Sequence, residues 1–205
     1  MSLVFYYSPM STAVVTHWIL EELGVPHEKV KIDFKTDTKK PEFLKINPNG
    51  TVPAIVHDGT PVFESAAISI YLGETFGVEK GLFPAAGPER GKAMGWIVWA
   101  NVTFGGAVSR HQFASSERIP AEQRNEKAAE AARADVERLF KLLDGALEGK
   151  QWILGDSFSI VDAHVAAFVS YSTFIGFDTK PHANLEAWRA RATSRPGYGV
   201  AMSPG

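Results

Sequence analysis

The sequence predicts an α/β half followed by an all-α half, and three observations carry that prediction. Up to about residue 76, extended β-branched and aromatic runs alternate with helically spaced apolar stripes in the order β-α-β-α-β-β-α, which builds a small mixed sheet with helices packed on it. Between Gly77 and Gly91 the composition shifts to Gly, Pro and Ala, the mark of a boundary between domains. Beyond it every patterned segment has helical spacing and none alternates like a strand. The expected domains are residues 1–78 and 89–205, joined by a linker at 79–88.

In chain order, Leu3 to Tyr7 is a short run that suits a buried strand. Ser8-Pro9-Met10 turns the chain, and Ser11 or Thr12 can cap the helix marked by Val14, Val15, Trp18, Ile19 and Leu23. Gly24 and Pro26 stop that helix. Val30 and Ile32 alternate with charged residues as a second strand, and Pro41-Glu42-Phe43-Leu44 begins a short helix after a basic loop. Ala54-Ile55-Val56 and Val62-Phe63 read as two strands around a His57-Asp58-Gly59 turn. Glu64-Ser65 then opens a helix with the stripe Ile68, Tyr71, Leu72 and Phe76. After the linker, Arg90 to Gln112 is helical and holds Trp96-Ile97-Val98-Trp99. Pro120 opens a long helix with the stripe Ala132, Val136, Leu139, Phe140, Leu143 and Leu147. Ser159-Ile160-Val161-Asp162 resembles a capping box with Asp at its third position, and the helix behind it is apolar nearly all round, which predicts the centre of the helical half. A last helix runs from about His182 to Ala192 and stops at Ser194-Arg195-Pro196-Gly197.

Composition narrows the function. The 205 residues are 45% apolar and 21% charged, with a net charge of −2, which gives no reason to expect nucleic acid or an acidic membrane surface as partner. No apolar run is long enough to cross a membrane, the N-terminus lacks a secretory pattern, and cytoplasm is the expected location. The absence of Cys removes disulfides, thiolate metal sites and a cysteine nucleophile. The histidines show no ligand spacing, so no metal is expected, and the glycines form no phosphate loop.

The stretch Asn47-Pro48-Asn49-Gly50-Thr51-Val52-Pro53 is the most informative. Pro53 cannot donate to a sheet ladder and forces Val52 to extended geometry. The N–H and C=O of Val52 are thereby left to pair with an extended peptide, while Ser65 sets a helix N-terminus, a ready anion site, a short way off.

Four motifs in order, Tyr7-Ser8-Pro9-Met10-Ser11, Asn47-Pro48-x-Gly50-x-Val52-Pro53, Glu64-Ser65 and Phe158-Ser159-Ile160-Val161-Asp162-Ala163, resemble the cytosolic glutathione transferases over nearly the whole chain. The resemblance implies a thioredoxin-like N-terminal domain with a mixed four-stranded sheet, an all-helical C-terminal domain, and glutathione as co-substrate with no permanently bound cofactor. It implies that Val52 pairs with the cysteinyl backbone beside a cis Pro53, and that the γ-glutamyl carboxylate sits at Ser65 with its ammonium against Glu64. Thr51 completes that slot, and Lys39 or Lys40 would meet the glycyl carboxylate. A free thiol has a pKa of roughly 8.5 and needs a hydroxyl donor to ionise readily. Ser11 matches the serine of serine-type classes and is the preferred donor, with Tyr7 and Thr12 as alternatives. The acceptor site is expected between the domains, lined by Trp99, Phe104, Arg110, His111 and Phe113, while the Trp96–Trp99 pair suits packing or a dimer contact. The expected reaction is conjugation of glutathione to a hydrophobic electrophile by a homodimer. The alternatives are glutathione-dependent reduction of peroxides or disulfides, and binding with little turnover.

Overall fold

The computed structural model describes residues 2–203; Met1, Pro204 and Gly205, at the outer ends of the two expected domains, lie outside them. The sheet has four strands in the order β2-β1-β3-β4. Strand β1 (Leu3–Tyr7) runs parallel to β2 (Glu28–Lys31) and antiparallel to β3 (Ala54–His57), which pairs antiparallel with β4 (Thr60–Phe63). It is the mixed four-stranded sheet expected. Phe5 pairs with Ile55 at its centre, and both are fully buried. The β3–β4 hairpin turns on Asp58 and Gly59, with φ of 46° and 82°, the two left-handed positions that a two-residue hairpin loop requires.

Helix α1 (Ala13–Leu23) packs its apolar side on the sheet and ends at Gly24 in the left-handed region, where a missing Cβ removes the penalty. The short α2 is Pro41–Leu44, and α3 (Ser65–Leu72) continues through a wider π turn to Gly77. In the helical half, α4 (Pro88–Val98) and α5 (Gly105–Ser115) are joined by a π segment, Trp99–Phe104, where a single helix was expected. The extra residue of a π turn re-aims the side chains it carries. Asn101 lies within this segment.

Two expectations for the helical half need correction. Pro120 opens only a single 3₁₀ turn, Ala121–Gln123; the long helix α6 (Glu126–Ala146) starts later, where Asn125 accepts a hydrogen bond from the Ala128 N–H at 3.0 Å. Asn is a stronger N-cap than any neighbour, which sets the boundary. The segment Pro196-Gly197 does not stop the chain's helices but begins another. After α8 (Ala183–Thr193), Pro196 takes the first position of α9 (Pro196–Met202), where its missing N–H costs nothing. Gly197 lets α9 approach α1, since a Cβ there would meet Glu22 Oε1 at 2.9 Å. The contact is completed by Tyr198 on Trp18, ring centroids 4.8 Å apart, and by a two-pronged Arg195–Glu22 pair at 2.9 and 2.6 Å.

Helix α7 (Ile160–Phe174) is the centre of the helical half, as its all-round apolar sequence predicts. Its capping box is present, with Ser159 and Asp162 in the reciprocal roles. One hydrophobic core runs from Phe5 and Ile55 through Trp18 and Ile68 to Ile160, Phe140 and Trp188, so the two halves are packed as one body.

Candidate functional site

The slot around Val52 is built by a polar turn. Asn47, almost fully buried, donates to the Thr51 carbonyl at 2.7 Å and accepts from the Asn49 N–H at 3.0 Å. Gly50 has φ of 63°, and a Cβ there would stand 2.7 Å from the Thr38 carbonyl oxygen, so only glycine fits. The Val52–Pro53 peptide is cis. Two residues on, β3 begins, so the Val52 backbone stands just before the ladder.

Three hydroxyls were expected to compete for a bound thiol, and each has different surroundings. Ser11 Oγ donates to the Ser8 carbonyl at 2.7 Å and accepts from the Ala13 N–H at 3.2 Å, so both its roles serve the start of α1. Tyr7 stacks on Phe5 at 5.6 Å and faces His17 in a crevice beside α9. Thr12 is exposed, and its Oγ1 donates to the Val52 carbonyl at 3.3 Å, on the edge where a peptide would pair. Each of the two hydroxyls thus donates to a backbone carbonyl, and Thr12 is the one whose partner lies on the Val52 edge.

The other end of the slot is formed by Glu64 and Ser65. Glu64 is exposed and has φ of 69°, a left-handed conformation that is strained for a residue with a Cβ and clusters at functional sites. Its carboxylate accepts from Asn49 Nδ2 at 3.3 Å, tying the two turns together. Ser65 is buried at the first turn of α3, and its Oγ accepts from Asn101 Nδ2 at 2.8 Å. Asn101 Oδ1 lies 2.6 Å from His164 Nε2, and His164 Nδ1 lies 2.8 Å from Ser69 Oγ, which also donates to the Ser65 carbonyl at 2.7 Å. Burial pushes the His164 pKa down to about 3, so the ring is neutral. This chain from the helical half to Ser65 escaped sequence analysis. Its one signal was a polar Asn and His inside apolar helical runs, residue types that persist there only when partnered.

Of the two loop lysines, Lys40 is paired with Asp37 at 2.7 Å, whereas Lys39 is exposed and without an ion pair among the described residues.

The acceptor residues are brought together only in part. A cavity of about 320 Å³ lies between Met10 of the first turn and the helical half, lined by His111, Gln112, Ser115, Arg118, Tyr171 and Phe174. His111, one of the five residues expected there, lines it. Phe104 does not: it is fully buried between Trp99 and Phe140 and packs the core. Trp99 sits edge-on against Trp96, ring centroids 5.2 Å apart. Arg110 is turned onto α6, where it pairs with Asp135 at 2.9 Å, and Phe113 is exposed outside the cavity. Helix periodicity accounts for the split, because Arg110 and Phe113 lie on other faces of α5 from His111, Gln112 and Ser115. Tyr171 and Phe174, from α7, close the cavity instead, with Gln112 holding the Tyr171 hydroxyl at 2.8 Å.

Comparison with known proteins fits this geometry. Residues 9–75 match the glutathione S-transferase N-terminal domain and residues 107–196 the glutathione S-transferase C-terminal domain. The chain is 34% identical over 184 residues to the Escherichia coli glutathione S-transferase GstB, covering 86% of each. It is 31% identical to the disulfide-bond oxidoreductase YfcG of the same organism, covering 96% of this chain and 93% of that one. Among solved structures, a glutathione transferase from Burkholderia graminis with two glutathione molecules bound per subunit is 30% identical, with a TM-score of 0.87 over 98% of this chain and 87% of that one. The chain belongs to the glutathione S-transferase family.

Proposed function

We propose that this chain is a glutathione transferase that adds the glutathione thiolate to electrophilic, mostly apolar small molecules. The observation that carries the reading is the Thr12 hydroxyl at 3.3 Å from the Val52 carbonyl, with the Ser65 helix start at the other end of the same slot. A tripeptide paired with Val52 puts its cysteinyl side chain beside Thr12, and its γ-glutamyl carboxylate at the Ser65 hydroxyl and the positive end of α3. Pairing of the tripeptide with the Val52 carbonyl releases the Thr12 proton to turn to sulfur, where it favours the thiolate over the thiol, and the adjacent start of α1 adds to that preference. The thiolate then attacks an electrophilic carbon held in the cavity against Met10, Tyr171 and Phe174.

Thr12→Ala is expected to lower kcat/KM with a model aryl halide roughly 10–100-fold and to raise the pKa of the bound thiol, read from thiolate absorbance against pH. Ser11→Ala is expected to cost about 1 kcal/mol of stability through the lost cap while leaving activity within a few-fold. The reverse pattern would return the role to Ser11.

A second reading is glutathione-dependent disulfide reduction, favoured by the polar mouth of the cavity, where His111, Gln112, Ser115 and Arg118 suit a second anionic tripeptide. YfcG carries that activity in its name, and the Burkholderia protein holds two glutathiones. In such a step the bound thiolate attacks one sulfur of a glutathionyl disulfide, the S–S bond breaks, a thiolate leaves and glutathione disulfide remains. With no Cys in the chain, glutathione itself supplies both sulfurs of the product. Parallel turnover assays with an aryl halide and with a small mixed disulfide separate the readings, and glutathione binding without either turnover would indicate a binding protein. We expect a homodimer through α4 and the following π segment, where Val98 and Val102 are exposed, and light scattering that returns a monomer mass would refute it.

A further inference from the structure

A second constellation lies on α1 and the turn that follows it. His17 and Glu21 stand one helical turn apart on α1, and His27 follows the turn that leads into β2. One potential ligand atom from each lies within 4.8 Å of those of the other two. Sequence spacing alone did not suggest a metal, because His27 reaches the pair only through the Gly24–Pro26 turn.

The chemistry of the three groups is specific. His17 is nine-tenths buried, and its Nε2 lies 3.5 Å from a Glu21 carboxylate oxygen with no hydrogen-bond partner. A buried imidazole nitrogen without a partner is uncommon and calls for a reason. Both rings are held from behind: His27 Nδ1 is 2.8 Å from the Val25 carbonyl, and His17 hydrogen-bonds the Ala201 carbonyl of α9. A ring N–H given to a backbone carbonyl fixes the tautomer and presents the opposite nitrogen as a lone pair, the arrangement metal-binding histidines use. Two such imidazoles and one carboxylate make a borderline donor set of three, which suits a zinc-type ion with an open fourth position better than Mg²⁺ or Ca²⁺.

We propose that His17, Glu21 and His27 form a three-ligand site for a zinc-type divalent ion, with its fourth position open to the adjoining crevice. That crevice, about 300 Å³, is lined by His17, Tyr7, Met10, Lys29, the last α9 residues Ala201 and Met202, and Ser203 just beyond them. Lys29 opposes a bare cation and would hold an anion at the open position. The ion would pin α1, whose N-terminus carries Ser11 and Thr12, to the entry of β2.

The test uses the full-length untagged protein, freed of metal by chelation and titrated with Zn²⁺ by calorimetry and thermal melting. One equivalent per chain should bind, and the melting temperature should rise with Zn²⁺ concentration, with no rise in Mg²⁺. Co²⁺ should give the visible bands of a low-symmetry, near-tetrahedral site. Glu21→Gln and His27→Ala, both at half-buried positions and so expected to fold, should each weaken Zn²⁺ binding roughly 10-fold or more, whereas His182→Asn should not. Lys29→Ala should tighten it. Absence of saturable Zn²⁺ binding, or binding that survives in the Glu21→Gln, His27→Ala double variant, would overturn the proposal.

Discussion

Asp162→Ala is expected to destabilise the protein by roughly 4 kcal/mol or more, the largest single-residue effect outside the apolar core. Asp162 is fully buried at the first turn of α7, and its two oxygens accept four hydrogen bonds: from the Ile153 N–H at 2.8 Å, the Trp188 Nε1–H at 2.9 Å, the Ser159 N–H at 2.9 Å and the Ser159 hydroxyl at 3.0 Å. Burial pushes the carboxyl pKa up, and these four donors oppose that shift. Removing the acceptor strands all four at once in a site that water does not reach, which is why the cost exceeds that of an ordinary lost cap. The carboxylate also joins three pieces of chain, the 152–155 loop, α7 and α8, so its loss loosens the centre of the helical half. A melting-temperature drop of about 10 °C or more is expected. Asp162→Asn, which keeps the volume and one acceptor oxygen, should fall between Ala and wild type. A drop of only 2–3 °C in the Ala variant would mean that the donors find other partners.

The sequence reads well where a residue's role is local. The Val52–Pro53 turn, the Asp58–Gly59 hairpin, the Gly24 stop and the Ser159–Asp162 box each follow from one or two residues whose backbone demands are narrow, and each stands as read. It reads poorly where the decisive partner is distant. The Ser11 hydroxyl binds the Ser8 carbonyl and the Ala13 N–H, while that of Thr12 turns toward Val52, forty positions away, and spacing alone could not tell the two apart. Phe104 and Phe113 looked alike as apolar candidates on one helical run, yet one is core and the other is outside the cavity. The π segment Trp99–Phe104 shifts the phase of everything after it, and periodicity arguments assume a constant 3.6 residues per turn. The start of α9 was hidden for a different reason. Pro-Gly reads as a stop, and only the packing of Gly197 and Tyr198 on α1 turns it into a beginning.

The chain Ser69–His164–Asn101–Ser65 makes the last and most functional prediction, because one titratable group within it links stability to Ser65, the residue proposed to hold the γ-glutamyl carboxylate. Its polarity is set by the neutral ring. Asn101 gives its N–H to Ser65 and turns its oxygen to His164, so the single ring proton sits on Nε2 and donates to that oxygen. Nδ1 then accepts, with the Ser69 proton shared between it and the Ser65 carbonyl. Ser65 Oγ, already accepting from Asn101, keeps its own proton to donate, which is what a bound carboxylate requires. An unfolded histidine takes up its proton below about pH 6.5, whereas folded His164 refuses it until about pH 3. Between those values the unfolded state binds more protons, so stability rises with pH and is lost as the pH falls through that window, by at most ~1.4 kcal/mol per unit. The polar groups facing the ring are uncharged Ser69 and Asn101, so no ion pair offsets this slope. His17, also held low by burial, contributes in the same direction, and the difference between wild type and variant isolates His164. In His164→Gln the urea midpoint should fall less steeply between pH 6.5 and about pH 4.5 than in wild type. At pH 7 the variant should raise KM for glutathione several-fold, with kcat changed far less, because Ser65 loses its orientation while the Thr12 end is untouched. An acid slope identical to wild type would exclude His164 as the titrating group, and an unchanged KM would show that Ser65 orients itself without help from the helical half.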